Sequence, residues 1–393
     1  MDQPRGERQV MIEKRPLLRN LALASAIVLV AGCQVIPKGP TASAPEPVAS
    51  EAPTNSLPTD RERHRIALLV PLSGANAGVG QSLANATTMA LLDTNAANLR
   101  ITTYDTATGA QGAAARALAD GNKLILGPLL SADVRTVAAV ARPAHVPIIS
   151  FSNDSSVAAD DVFVLGHVPA QAVVRVVSFA KAKGVTRFGA LVPGGEYGQR
   201  AGAAFTAAVR AVGGSVVASE NYDRGNTSIT SAAARLKAKG GFDAVLIADG
   251  ARMAVRAAPL LKAVGAVTPR ILGTELWAGE GTVLATPALR GAWYASVSDA
   301  RYAKFVSSYK TRFGASPYRI ATLGYDGVLL TLNVARDWRP GTLFPTRKLA
   351  DRGGFIGLDG AFRFGDDNVV ERSWEVREVG TGVVAPAPSR FGN

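Results

Sequence analysis

From Arg65 onward the chain alternates short apolar runs with longer helix-like stretches. Ile66-Ala67-Leu68-Leu69-Val70 carries no polar break, the pattern of a strand buried on both faces. The spacing then predicts a helix over 80–95, a strand at Ile101-Thr102-Thr103-Tyr104, a helix over 111–120 and a strand at Leu124-Ile125-Leu126-Gly127. A helix over 131–141 leads to a strand at Pro147-Ile148-Ile149-Ser150. After Pro169 the rhythm restarts, with helices over 170–183, 199–212, 228–239 and 251–264 preceding strands over 188–192, 216–222, 244–248 and 271–273. Strand-helix repetition at this spacing calls for parallel sheets covered on both faces, and two runs of it call for two doubly wound, Rossmann-like α/β lobes. Ligands in such sheets sit at the carboxyl ends of the strands. The loops to watch therefore follow Val70, Leu126, Ile149, Val192, Ala248 and Leu272.

Ahead of this body the pattern is different. Residues 1–20 carry Arg5, Arg8, Lys14, Arg15 and Arg19, an apolar run spans 21–31, and Gly32-Cys33 follows. That order is the n-region, h-region and small-residue cleavage site of a secretory signal. A helix of that apolar length reaches about 16 Å, too short to span a hydrocarbon core of about 30 Å. Val30-Ala31-Gly32-Cys33 resembles the lipobox of bacterial lipoproteins, which implies an acylated Cys33 as the mature N-terminus; the alternative is a buried structural cysteine. Gln34 rather than Asp follows it, so the expected location is the periplasmic face of the outer membrane, by way of the lipid anchor. Residues 34–61 interleave prolines with Ala, Ser and Thr and show no apolar periodicity, which predicts a disordered tether.

The net charge of +12 suits nucleic acid, an anionic membrane or an anionic wall polymer. No clustered Lys/Arg face with interleaved aromatics stands out, so nucleic acid is not expected, and scattered arginine is the plainer account. Cys33 is the single cysteine, so no intrachain disulfide can form.

Several fragments, in order, resemble one family. Pro71-Leu72-Ser73-Gly74, Leu126-Gly127-Pro128 with Ser131, Val146-Pro147-Ile148-Ile149-Ser150, Tyr197-Gly198, and Gly357, Gly360, Phe362 and Phe364 of a closing hairpin are similar to the type I periplasmic binding proteins, in their branched-chain amino-acid receptor branch. The resemblance covers 65–379. A narrower one, at 150–158, Leu165-Gly166-His167 with Pro169, 175–178, 272–277 and 353–360, is to lipoproteins known as penicillin-binding-protein activators. The family resemblance implies three hinge crossovers, near Pro169, Val297 and Gly354. That gives a first lobe of 62–168 plus 298–353, a second of 169–297 plus 354–382, and a tail over 383–393.

It also implies a cleft, with Ser73, Ser131, Ser150, Ser152, Asn153, Asp154, Tyr197, Asp249, Glu275 and Trp277 as candidate ligand-binding residues. Ser131 and Ser152 match positions that hold a ligand carboxylate in the receptors, and Glu275 matches the partner of the ligand ammonium. Asp154 departs from the receptors, which carry a hydroxyl there. Either it repels a ligand carboxylate or it caps a turn and faces water. With Glu275 and Asp154 both facing a closed cleft, the expected ligand is a small molecule bearing at least one amine and little exposed negative charge.

Catalytic motifs are lacking. There is no G-x-S-x-G elbow, no H-E-x-x-H and no cysteine-based metal set. Gly74, Gly78 and Gly80 are glycines without the lysine of a phosphate loop. Ser178-x-x-Lys181, Ser219-x-Asn221 and Lys310-Thr311 follow the order of penicillin-binding enzyme motifs, but Arg312 replaces the third motif's glycine and Ser178 falls inside a predicted helix. The expectation is a non-catalytic envelope lipoprotein of the activator type, without cofactor or metal, acting on a penicillin-binding protein or other wall synthase. The alternative is a solute receptor of an amino-acid ABC transporter.

Overall fold

A computed structural model describes residues 62–262 and 268–392, so the signal, Cys33 and tether expected over 1–61 lie outside the described residues. Strands β1 (His64–Val70), β2 (Leu99–Asp105), β3 (Leu124–Leu126), β4 (Ile148–Ser150) and β5 (Val162–Val164) form one parallel sheet in the order β2-β1-β3-β4-β5. Helices α1 (Ala77–Asp93), α2 (Ala110–Ala119) and α3 (Ser131–Ala141) connect them. The chain starts mid-sheet and winds outward both ways, the doubly wound arrangement.

Helix α4 (Pro169–Ala182) leads into a second lobe. There β6 (Arg187–Pro193), β7 (Ser215–Tyr222), β8 (Ala244–Ile247), β9 (Arg270–Gly273) and β10 (Trp293–Ser296) alternate with α5 (Glu196–Ala211), α6 (Ser228–Lys239), α7 (Ala251–Lys262) and the short α8 (Gly281–Ala285). β8 shows why such strands read as unbroken apolar runs. Its Val245 and Ile247 enter the core on one face of the sheet, while Ala244 and Leu246 enter the core on the other, because successive strand side chains point to opposite faces. Each large aliphatic buried this way contributes about 1.5–3 kcal/mol.

From β10 the chain returns to the first lobe. Leu323, Val328, Leu330 and Val334 of α10 (Thr322–Ala335) join the core of β1, and Phe305 and Tyr309 of α9 (Tyr302–Phe313) pack with Met89 of α1. Next, β11 (Phe355–Gly357), β12 (Gly360–Phe364) and β13 (Val370–Arg372) make a small antiparallel sheet. Last, β14 (Glu375–Glu378) and β15 (Gly382–Ala385) extend the second lobe's sheet, giving β15-β14-β10-β9-β8-β6-β7.

Two expected boundaries move. Phe355, Phe362, Phe364, Val369 and Val370 share the first lobe's core, and Val369 bridges Val164. The closing hairpin therefore completes the first lobe, and the third crossing falls at Ser373-Trp374 instead of Gly354. Residues 383–385, expected in the tail, are part of an edge strand paired to β14.

Both lobes join their first strand to the following helix in the same way. A Cβ at Gly80, in the first turn of α1, would fall on the Pro71 carbonyl oxygen, and one at Gly198, in the first turn of α5, on that of Pro193. Glycine alone permits this approach, and it fixes where the first-turn side chains of each helix point.

Candidate functional site

The loops at the carboxyl ends of both sheets carry the expected residues, and the structure sorts them by what each side chain does. Along 150–156 the polar side chains bond in steps of two. Ser150 Oγ accepts from the Ser152 N–H (3.0 Å), Ser152 Oγ from the Asp154 N–H (3.1 Å), and Asp154 Oδ1 from the Ser156 N–H (3.0 Å) and hydroxyl (2.7 Å). These are side-chain-to-backbone turns in series. The Ser150 hydroxyl proton goes to the Pro128 carbonyl (3.1 Å), whereas Ser152 keeps its proton to donate. Ser73 is exposed and bonds Asp105 Oδ2 (2.9 Å); Asp105 also takes the Leu72 N–H (2.8 Å). Ser131 is half-buried at the first position of α3.

Asp154 is 7% exposed at its side chain and does cap the turn, but it also faces two cations. Arg135 of α3 lies 3.4 Å away and Arg200 of α5, from the other lobe, 3.2 Å away. Asn153 Oδ1 accepts from Arg200 Nη2 as well (3.3 Å). Burial opposes ionisation of Asp154, but Ser156 and the two guanidiniums outweigh it and hold the carboxyl below its ordinary range. The expected pair of uncompensated carboxylates is therefore corrected. Asp154 already has its countercharges, so it no longer restricts the negative charge a ligand can carry.

On the second lobe Glu275 opens a short turn after β9 that Thr274 caps. The Tyr197 hydroxyl, from the first turn of α5, lies 2.9 Å from Glu275 Oε1 and 3.1 Å from Thr274 Oγ1. Glu275 Oε2 is buried and has no hydrogen-bond partner. Burial pushes this carboxyl up to about 7 against the pull of the turn's N–H and of Tyr197, and burial together with the Glu275 charge raises the Tyr197 hydroxyl well above its ordinary value.

Two candidates turn inward. Asp249 Oδ2 accepts from the Tyr222 hydroxyl (2.7 Å) and Arg224 Nε (2.8 Å), and Oδ1 from the Gly250 N–H (2.7 Å), so its charge is met within its own lobe. Trp277 is 1% exposed and donates its indole N–H to the Asp249 carbonyl (2.8 Å). It is core support for the Glu275 turn and is corrected from a ligand contact. Arg135, Arg200, Arg224 and Tyr222 were missed by sequence reasoning.

Two other segments of the narrower resemblance, 165–169 and 353–360, meet each other. His167, at the first crossing, lies 2.7 Å from Asp359, which also accepts from Arg319 (2.6 Å) and Thr322 (2.9 Å). Burial works against the charge on Asp359, yet Arg319 and His167 hold its carboxyl far below the usual range. Asp359 is fully buried and the His167 side chain is 13% exposed. These residues are packed inside the protein beside the first crossing.

The family profile for periplasmic binding proteins matches residues 64–382. The chain belongs to this family. A structure of a Rhodospirillum rubrum protein assigned to branched-chain amino-acid ABC transport has a TM-score of 0.71 at 22% identity, over 82% of this chain and 99% of that one. The isoleucine complex of LivJ from Streptococcus pneumoniae gives 0.63 at 19%, over 83% and 100%. Leucine-binding LivK from Thermotoga maritima gives 0.62 at 19%, over 84% and 98%. At these identities the likeness is one of fold. An uncharacterized protein of Rickettsia prowazekii is 31% identical over 142 residues, 36% of this chain and 38% of that one, so the match spans well under half of the relative. Membership implies an envelope location. No helix among the described residues of this periplasmic binding protein is long and apolar enough to cross a membrane.

Proposed function

We propose that this periplasmic binding protein is non-catalytic and that its interlobe cleft takes a small molecule by an ammonium group. The observation that carries the reading is the Glu275 carboxyl, which is buried, bonded on one oxygen by Tyr197 and unpartnered on the other. An unmet acceptor in a desolvated site favours a cationic donor, which would restore the solvation that burial removed. Ser152, with a hydroxyl proton to donate, and the N-terminus of α3 beside Ser131 offer partners for a ligand carboxylate, so amino acids, diamino acids and wall-derived peptides all fit. Calorimetry with a panel of these is expected to find a ligand whose affinity falls at least about tenfold in Glu275→Gln, the usual scale for a charge-assisted bond. Affinity unchanged by that substitution would remove Glu275 from the site.

In the cell we propose a lipoprotein anchored through Cys33 at the outer membrane, contacting a penicillin-binding protein or another wall synthase. The support is the lipobox and the activator-like segments at 150–178, 272–277 and 353–360. Deletion of the gene is expected to sensitise cells to β-lactams while amino-acid uptake stays normal. The receptor reading is favoured by the fold's likeness to LivJ and LivK. Lost uptake with unchanged drug tolerance would establish it instead.

A further inference from the structure

Arg200 reaches across the cleft. It stands in the second turn of α5, in the second lobe, and its guanidinium meets Asp154 (3.2 Å) and Asn153 (3.3 Å) on the loop after β4, in the first. These elements lie at the carboxyl ends of the two sheets. We propose that Arg200 and Asp154 form a latch between the lobes, so that closure is driven in part by the protein itself and not only by what the cleft holds.

The surroundings suit a contact that must break as well as form. Within its own lobe Arg200 has Glu196, one turn back at 3.4 Å and 71% exposed, so the guanidinium has an acid and water to return to. On the first lobe Asp154 retains Arg135 and both Ser156 bonds when Arg200 withdraws. Neither charge is stranded by opening, which keeps the latch weak and reversible. The Arg200 side chain is 27% exposed, so salt screens it only in part. A fixed interlobe attraction enlarges the closed fraction. A ligand that binds the closed form then gains apparent affinity in proportion to that fraction. Only this last consequence rests on reading the cleft as a ligand site.

Spin labels on the full chain test it, with Cys33→Ser to remove the native thiol and with Gln111→Cys and Thr230→Cys, both exposed, at the cleft-side starts of α2 and α6. With no ligand added, a short-distance population is expected. Arg200→Ala should lower the closed-to-open ratio about two- to fivefold, as for a partly exposed ion pair, and Arg200→Glu should lower it further by placing like charges together. Raising salt from 50 mM to 1 M on the chain with native Arg200 should act in the same direction as Arg200→Ala. A distance distribution that ignores both Arg200→Glu, in a sample with native melting, and salt would overturn the latch. If Arg200→Glu does not fold, the salt series decides alone. The distances are read without ligand, so a failed latch leaves the calorimetric test of Glu275 standing, and the reverse also holds.

Discussion

Asp154 and Glu275 are buried carboxyls at the same cleft with different surroundings. Asp154 collects two turn bonds and two guanidiniums, whereas Glu275 has one tyrosine hydroxyl and an empty second oxygen. A carboxyl raised from 4.5 to about 7 by folding binds more protons in the native state than in the unfolded one across that interval. Its contribution to stability is therefore complete below pH 4.5 and is lost as pH climbs through 7, about 3 kcal/mol in all. Denaturation from pH 4.5 to 8 should show Glu275→Gln falling less steeply than the parent chain, by that order; parallel profiles would mean that Glu275 titrates normally. At this scale a capping role for Asp154 was one of two readings, paired with exposure to water; the cap is there, but the side chain is buried. The arginines on Asp154 were not legible. Arg135 and Arg200 come from different helices in different lobes, and no local pattern brings them to one carboxylate.

As far as β9, elements were legible where burial is two-sided or where a helix separates two such strands. Helix α3 begins and ends where the pattern predicts, and the predicted strands around β1, β6 and β8 match to within two residues at either end. What the pattern missed includes four short strands, β5 and the antiparallel β13, β14 and β15, each of three or four residues and too brief for a period to show; past β9 the strand-helix rhythm was not followed, and β10, α9 and α10 were missed with it. The contact of Gly198 with the Pro193 carbonyl positions Tyr197 next to it in the chain. Gly198→Ala should push the start of α5 off the strand and cost about 1–3 kcal/mol, the usual range for overpacking, while weakening ligand binding through Tyr197. A loss of stability with full affinity would mean that the helix start is not what aims the tyrosine.

Across the whole molecule the two-lobed fold came from repetition and its crossings from resemblance, and the third crossing, placed by that resemblance near Gly354, falls instead after the 355–372 sheet. Its phenylalanines chose the first lobe's core. The hinge then gathers His167, Arg319 and Asp359 from three separate stretches of chain, a convergence that spacing does not encode. Attachment belongs to this scale as well. Acyl chains on Cys33 would hold the protein on the membrane, each buried CH₂ adding about 0.8 kcal/mol, and Cys33→Ala should release it to the soluble fraction on cell fractionation; unchanged membrane association would remove the lipid anchor. The central claim is that a ligand ammonium sits on Glu275, and calorimetry at pH 6 in buffers of different ionisation enthalpy tests it most directly. Glu275 is mostly protonated at that pH, given a carboxyl near 7, so an arriving ammonium should expel close to one proton per ligand, and none in Glu275→Gln. Proton release that is absent from the parent chain, or identical in the variant, would contradict the account.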